Sequence, residues 1–324
     1  MQNTAQSSLQ NQAWKQAGEY LVLPSNAERI FSRQWGDPKA SADQTVLLLH
    51  GFPESSYSYH KVIDGLLSTF KRVVVFDMLG YGLSNKPDGM PKGATTKLPG
   101  CFSYSLLEQA DIALEVWRQL GVTGGHIISH DMGTSVLTEI VARHVEKDLP
   151  DFFNQGIQSL TFTNGSMVLE MAELRVMQRL LLSPLGALIS KFSSYGLFRK
   201  SIISAHGALG QGALSEHDIQ QLWNHYCIND GYKKSYFLIR YLHDRKRFEK
   251  SRWLPLLTQA SQTIPTHFCW GEDDQVARVT MARYLAGEVC PNSTLTVMPG
   301  VGHFCQLGSP ERWLTSVQTF YQTL

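Results

Sequence analysis

Residues 127–135 read IISHDMGTS, and this stretch decides the fold. Two β-branched residues run into a small one, as at the end of a buried strand. A carboxylate, Asp131, then stands where a helix should begin, and glycine and small residues follow. Around it the pattern is small–x–Asp–x–small, with Ser129 and Gly133 as the small positions. A tight strand-to-helix turn forces its central residue into a strained backbone, and bulky neighbours would clash. The helix N-terminus behind it offers unpaired N–H groups and a positive dipole end, both of which favour an ionised carboxylate. Two readings of Asp131 follow from this stretch: an ordinary N-cap, or a reactive group.

Outward from this turn, short apolar runs alternate with helical periodicity. Residues 45–50 (TVLLLH), 72–77 (RVVVFD) and 125–129 are uninterrupted apolar runs, the pattern of strands covered on both faces. Residues 160–163, 266–270 and 295–298 supply three more. Residues 20–23 and 30–34 suggest an opening hairpin turned by Pro24, Ser25 and Asn26. Between the runs, Ser105 and Glu108 have capping-box spacing ahead of a helix that keeps period through Leu106, Ala110, Ala113 and Trp117. Ser309, Pro310 and Glu311 open a final helix that buries Trp313, Val317 and Phe320. This alternation predicts the α/β class, an open and mostly parallel sheet flanked by helices.

Two stretches break the alternation. Residues 85–101 are rich in Pro, Gly and Lys and read as a long loop. Residues 165–256 are helical in pattern and hold no sheet-like run, which predicts a helical cap inserted after the sixth strand. The expected organisation is a flexible tail over 1–16, a core over 17–164 and 257–324, and the cap over 165–256.

Composition sets the outer limits. The chain has 324 residues, 43% hydrophobic and 18% charged, a globular balance with a large core. A net charge of +1 gives no global field that would select nucleic acid. Five widely spaced cysteines, an odd number without CxxC spacing, point to free thiols rather than a disulfide framework or a zinc site. His267-x-Cys269 and His303-x-Cys305 resemble a repeated metal pair, but two ligands per strand end without a further cluster read as chance. The polar N-terminus lacks the pattern of a signal peptide, and no run is long and apolar enough to span a membrane. A cytoplasmic protein, monomer or homodimer, with no cofactor, metal or nucleic-acid partner is expected.

In an open α/β sheet the ligand crevice lies beyond the carboxyl ends of the strands. The residues that end the strands here include His50, Asp77, Asp131, Asn164, Asp274 and His303. His303 stands in a glycine-rich loop before the last helix, placed to act as a base. Asp274, with Asp273 as rival, follows a strand and could orient that histidine. The chain order Asp131, Asp274, His303 is nucleophile, acid, histidine.

These motifs carry a resemblance. His50-Gly51-Phe52-Pro53, the run from Asp77 to Ser84, His130-Asp131-Met132-Gly133, Gly271-x-x-Asp274 and Gly302-His303 resemble α/β hydrolases of the epoxide hydrolase and haloalkane dehalogenase group. Asn229-Asp230-Gly231, Arg245-Lys246-Arg247-Phe248 and Arg252-Trp253 further resemble its mesoderm-specific transcript branch. The resemblance implies that Asp131 attacks an sp³ carbon and that His303, supported by Asp274, activates the water that hydrolyses the resulting ester. It places the oxyanion hole at the backbone N–H groups of Phe52 and Met132, with His50 in the same substrate-binding loop. Tyr241 is the implied cap acid, while an apolar helical stripe makes it equally a core residue. Tyr195, Tyr232 and Tyr236 compete for the place of a second acid.

Neither Phe52 nor Met132 carries a side-chain N–H for a departing halide, although Trp270 or another tryptophan could compensate. Epoxide hydrolysis of a small lipophilic substrate is therefore the leading expectation. A haloalkane- or lactone-opening enzyme is the alternative, and a non-catalytic sensor or binding protein is the reading from a different class.

Overall fold

Val46 and Leu48 enter one apolar cluster, while Leu47 and Leu49 enter another. This alternation along a single strand shows why its sequence is apolar throughout: both faces of the sheet are covered. The structure is a computed structural model and describes residues 10–90 and 101–324. Eight strands form one sheet: β1 (Glu19–Val22), β2 (Arg29–Gly36), β3 (Thr45–Leu49), β4 (Arg72–Phe76), β5 (Gly124–His130), β6 (Gly156–Thr163), β7 (Thr266–Gly271) and β8 (Thr294–Met298). Their spatial order is β1, β2, β4, β3, β5, β6, β7, β8. The pairs β1–β2 and β2–β4 are antiparallel, and every later pair is parallel.

Helices Leu106–Gln119 and Met132–Glu146 cover one face through Ala110, Trp117, Val136 and Ile140. Helix Pro310–Tyr321 covers the other through Trp313, Val317 and Phe320. Each fully buried aliphatic side chain in these layers contributes about 1.5–3 kcal/mol. The first of these helices starts as its sequence requires. Ser105 Oγ accepts from the Glu108 N–H at 3.1 Å, and the Glu108 carboxylate reaches back to the Tyr104 N–H at 3.0 Å.

Between β6 and β7 the chain is helical, from Val176–Leu182 through Gly186–Lys191, Tyr195–His206, Glu216–Cys227 and Tyr241–Phe248 to Leu254–Ala260. The predicted loop over 85–101 falls partly outside the described residues. Its ends meet, with Asp88 and Gly89 paired to Cys101 and Phe102.

Within the expected flexible tail over 1–16, the described residues are ordered. Residues 10–16 are helical. Trp14 is buried, edge-on to Tyr57 at 5.1 Å with the Arg33 guanidinium 4.6 Å from its ring. The Asn11 side-chain oxygen meets His225 Nε2 at 2.9 Å. One large indole is enough to seat this turn, and the polar residues around it hid that from the sequence pattern.

Candidate active site

Asp131 joins β5 to helix Met132–Glu146 with φ 45° and ψ −113°. A non-glycine residue held there stores roughly 1–3 kcal/mol of strain. The surroundings fix it. Its N–H donates to Thr163 O at 3.2 Å, and its own carbonyl accepts from the Thr134 N–H at 3.1 Å and the Thr134 hydroxyl at 2.6 Å. The small residues are a packing requirement. A Cβ on Gly133 would lie 2.5 Å from Leu49 O, and one on Gly51 would lie 2.6 Å from the Asp131 Cβ. Asp131 occupies the N-cap position, yet its side chain makes no cap hydrogen bond. The carboxylate turns outward instead, where Oδ2 accepts from the Phe52 N–H at 2.9 Å.

His303 faces it, with Nε2 3.7 Å from Asp131 Oδ1. The other ring nitrogen, Nδ1, lies 2.8 Å from Asp274 Oδ2. Asp274 is fully engaged. Its Oδ1 accepts from the Val276 and Ala277 N–H groups at 2.7 and 2.9 Å, and its Oδ2 also accepts from the Asn164 amide at 2.7 Å. Asp274 rather than Asp273 therefore faces the histidine. Burial works to lower the His303 pKa, but Asp274, with Asp131 and Glu54 farther off, outweighs it and carries the imidazole up to about 9. At neutral pH the resting ring is a cation between two carboxylates. Helix Tyr195–His206 holds its loop: the His303 N–H donates to His206 O at 3.0 Å, and the Phe304 N–H donates to His206 Nδ1 at 3.1 Å.

Behind this set lies a buried pair. Glu54 Oε2 is 2.6 Å from His130 Nδ1 and accepts from the Gly51 N–H at 3.0 Å. His130 Nε2 donates to His303 O at 2.8 Å, and Gln306 donates to Glu54 Oε1 at 3.1 Å. Both ends are closed to solvent. The pair thus braces the loops that carry Phe52, Asp131 and His303.

Asp131 and His303 open into a cavity of about 380 Å³ walled by apolar side chains such as Leu181, Phe198, Ile202 and Val276. Of the residues singled out in the sequence, Asp131, His303 and Phe52 line it, and Asp274 stands one layer behind. Met132 opens the helix, where N–H groups have no intrahelical acceptor. Its sulfur accepts from the Tyr81 hydroxyl at 3.1 Å.

His50 does not reach the cavity, contrary to expectation. Its Nε2 accepts from the Met78 N–H and its Nδ1 donates to Gly51 O, both at 2.9 Å, so the ring ties two loops together. Tyr241 is buried one layer back, 6.2 Å from the Phe52 ring, with the Arg245 guanidinium 4.7 Å from its own ring. Tyr195, Tyr232 and Tyr236 do not line the cavity, but Tyr226 does. The Tyr226 hydroxyl meets Ser235, and burial raises its phenol to about 12. It escaped the sequence reading because it sits in a helix as one aromatic among several. Asn164 was noted only as a strand end.

A model of the alpha/beta hydrolase fold family matches residues 44–310. The chain belongs to the α/β hydrolase fold family. Among the relatives of this α/β hydrolase, LipZ of Mycobacterium tuberculosis is 35% identical, covering 93% of this chain and 94% of its own. The human mesoderm-specific transcript homolog protein is 29% identical over 95% of this chain and 87% of its own. A loop variant of the haloalkane dehalogenase DbeA from Bradyrhizobium elkanii superposes with a TM-score of 0.71 at 19% identity, covering 94% of this chain and 96% of its own. At that identity the match speaks for the fold alone.

Proposed function

We propose that this α/β hydrolase opens epoxides through an ester on Asp131, with His303 as the base for hydrolysis, Asp274 as its orienting acid and no cofactor. The observation that carries the reading is the outward Asp131 carboxylate on the cavity floor, with His303 Nε2 at 3.7 Å. An ionised carboxylate attacks without a base, which leaves the histidine for the second half-reaction. Asp131 Oδ bonds to an epoxide carbon, the ring C–O bond breaks, and the alkoxide takes a proton from Tyr241. His303 then removes a proton from water. The hydroxide adds to the Asp131 carboxyl carbon, and the Phe52 and Met132 N–H groups hold the oxyanion. The ester C–O bond breaks at the acyl carbon, the diol leaves with the proton that His303 took from water, and the proton left on the Asp131 carboxyl passes to His303, which restores the resting ion pair. The helical stretch 165–256 serves as the cap.

Charge times the two steps. Asp131 helps to keep His303 protonated in the resting site. Esterification removes that negative charge and lowers the imidazole pKa, so the His303 proton passes to the phenolate left on Tyr241 and a base is free when one is needed. The leaving-group assignment rests on what borders the cavity. None of the seven tryptophans does, and the Trp270 indole donates to Ala277 O at 2.6 Å, so no indole is offered to a halide.

In a single turnover in heavy-oxygen water, the first diol is expected to carry ordinary oxygen from Asp131, and the heavy label should appear in the Asp131 peptide. A first diol that carries the solvent label would rule out the ester. Tyr241 is kept protonated first by burial and then by the Asp131 charge. Tyr241→Phe should slow ester formation from epoxides about 10²-fold or more and leave ester hydrolysis unchanged, as rapid-quench kinetics would resolve. The same loss in Tyr226→Phe instead would move the acid to the cavity wall.

A further inference from the structure

Among the described residues, eight of the eleven exposed large hydrophobic side chains lie between Val176 and Leu209. Val176 is 73% exposed, Phe192 69% and Leu185 62%, with Leu180, Leu188 and Leu197 close behind. They stand on helices Val176–Leu182, Gly186–Lys191 and Tyr195–His206 and on the turns that join them. Leu180, Phe192 and Leu197 also line the cavity, so the apolar surface surrounds its mouth. Scattered exposed leucines are ordinary, but a cluster at the entrance to an apolar cavity marks an interaction surface.

Charge narrows the partner. Residues 174–215 hold five basic side chains, Arg175, Arg179, Lys191, Arg199 and Lys200, and no Asp or Glu, in a chain whose net charge is only +1. Arg199 pairs with Glu216 at 2.8 Å, and Arg175 is held by Ser204 and Gln275 O. Arg179, Lys191 and Lys200 are exposed and form no ion pair among the described residues. Exposed apolar side chains interleaved with unpaired cations suit a helix that lies in the headgroup boundary of an anionic membrane. No described helix is long and apolar enough to cross one.

We propose that this rim docks the protein on an anionic lipid bilayer, with the cavity mouth against the acyl chains. A lipophilic substrate then passes from the membrane into the cavity without entering water. The inference does not depend on Asp131 being the nucleophile.

Co-sedimentation of the full chain with vesicles tests it, using phosphatidylcholine alone against phosphatidylcholine mixed with phosphatidylglycerol. Binding to the anionic vesicles should be about tenfold tighter or more and should weaken as salt rises. Two paired substitutions, Leu185→Ser with Leu188→Ser and Lys191→Glu with Lys200→Glu, should each weaken it about tenfold. None of these four residues lines the cavity, so thermal unfolding should match the unsubstituted protein in both variants. If the protein stays in the supernatant with both vesicle types, or if the substituted proteins sediment equally well, the proposal is overturned. A dimer in light scattering that Leu185→Ser with Leu188→Ser abolishes would put a second copy on this face and also overturn it.

Discussion

His303→Gln is expected to trap an alkyl group on Asp131. Glutamine keeps a polar side chain near Asp274 but cannot take a proton from water. The carboxylate, its Phe52 N–H contact and the cavity remain, so the proposed ester should still form. Its hydrolysis should fall about 10⁴-fold, the scale on which a triad member matters. Mass spectrometry of the Asp131 peptide after incubation with an epoxide should then find the substrate mass added. A bromoalkane adduct without an epoxide adduct would reverse the leaving-group assignment, and no adduct from any substrate would remove Asp131 from the chemistry.

The same substitution changes how stability depends on pH. The His303 pKa is raised by folding, to about 9. Its ion pairing therefore contributes fully below the unfolded histidine value of about 6.5 and is lost as pH rises through about 9. In urea titrations the unsubstituted protein should lose stability across that window, and His303→Gln should lose less. The kinetic pKa for ester hydrolysis should lie below 9, because the esterified Asp131 no longer supports the cation.

His130→Ala should cost about 3–5 kcal/mol of stability by leaving the Glu54 carboxylate buried without its partner. Burial pushes the Glu54 pKa up, but His130 outweighs it and holds the carboxyl below its ordinary value. That contribution is present above the unfolded glutamate pKa of about 4.3 and disappears as pH falls through the depressed one. Adding Glu54→Leu to His130→Ala should recover much of the loss, since a buried pair replaced by apolar groups is often neutral. If the double variant is as unstable as the single one, the cost lies in the lost contact to His303 O rather than in the stranded charge. Denaturant midpoints at pH 7 separate the two.

The sheet was legible because strands covered on both faces must be apolar, as TVLLL in β3 and RVVVF in β4 nearly are throughout, while the antiparallel β1 and β2 at one edge show only short apolar runs. The order Asp131, Asp274, His303 was legible because each stands just beyond a strand end, where chain direction alone places it. What escaped depends on pairs far apart in the chain. Glu54 and His130 are separated by 76 positions, and nothing local marks either as the other's partner. His50 misled because its motif lies on the right loop while its ring turns to brace that loop. Tyr226 and Trp14 looked like one aromatic among many, and only packing distinguishes them.

The contacts of His206 make the cavity wall and the candidate base mechanically one piece. Helix Tyr195–His206 supplies Phe198 and Ile202 to the wall, and at its last residue it holds both His303 and Phe304 by the backbone. Burial keeps the His206 imidazole neutral, with a pKa lowered to about 4, so Nδ1 can remain an acceptor. A substitution that displaces the C-terminal end of this helix therefore disturbs the cavity wall and the seat of His303 together.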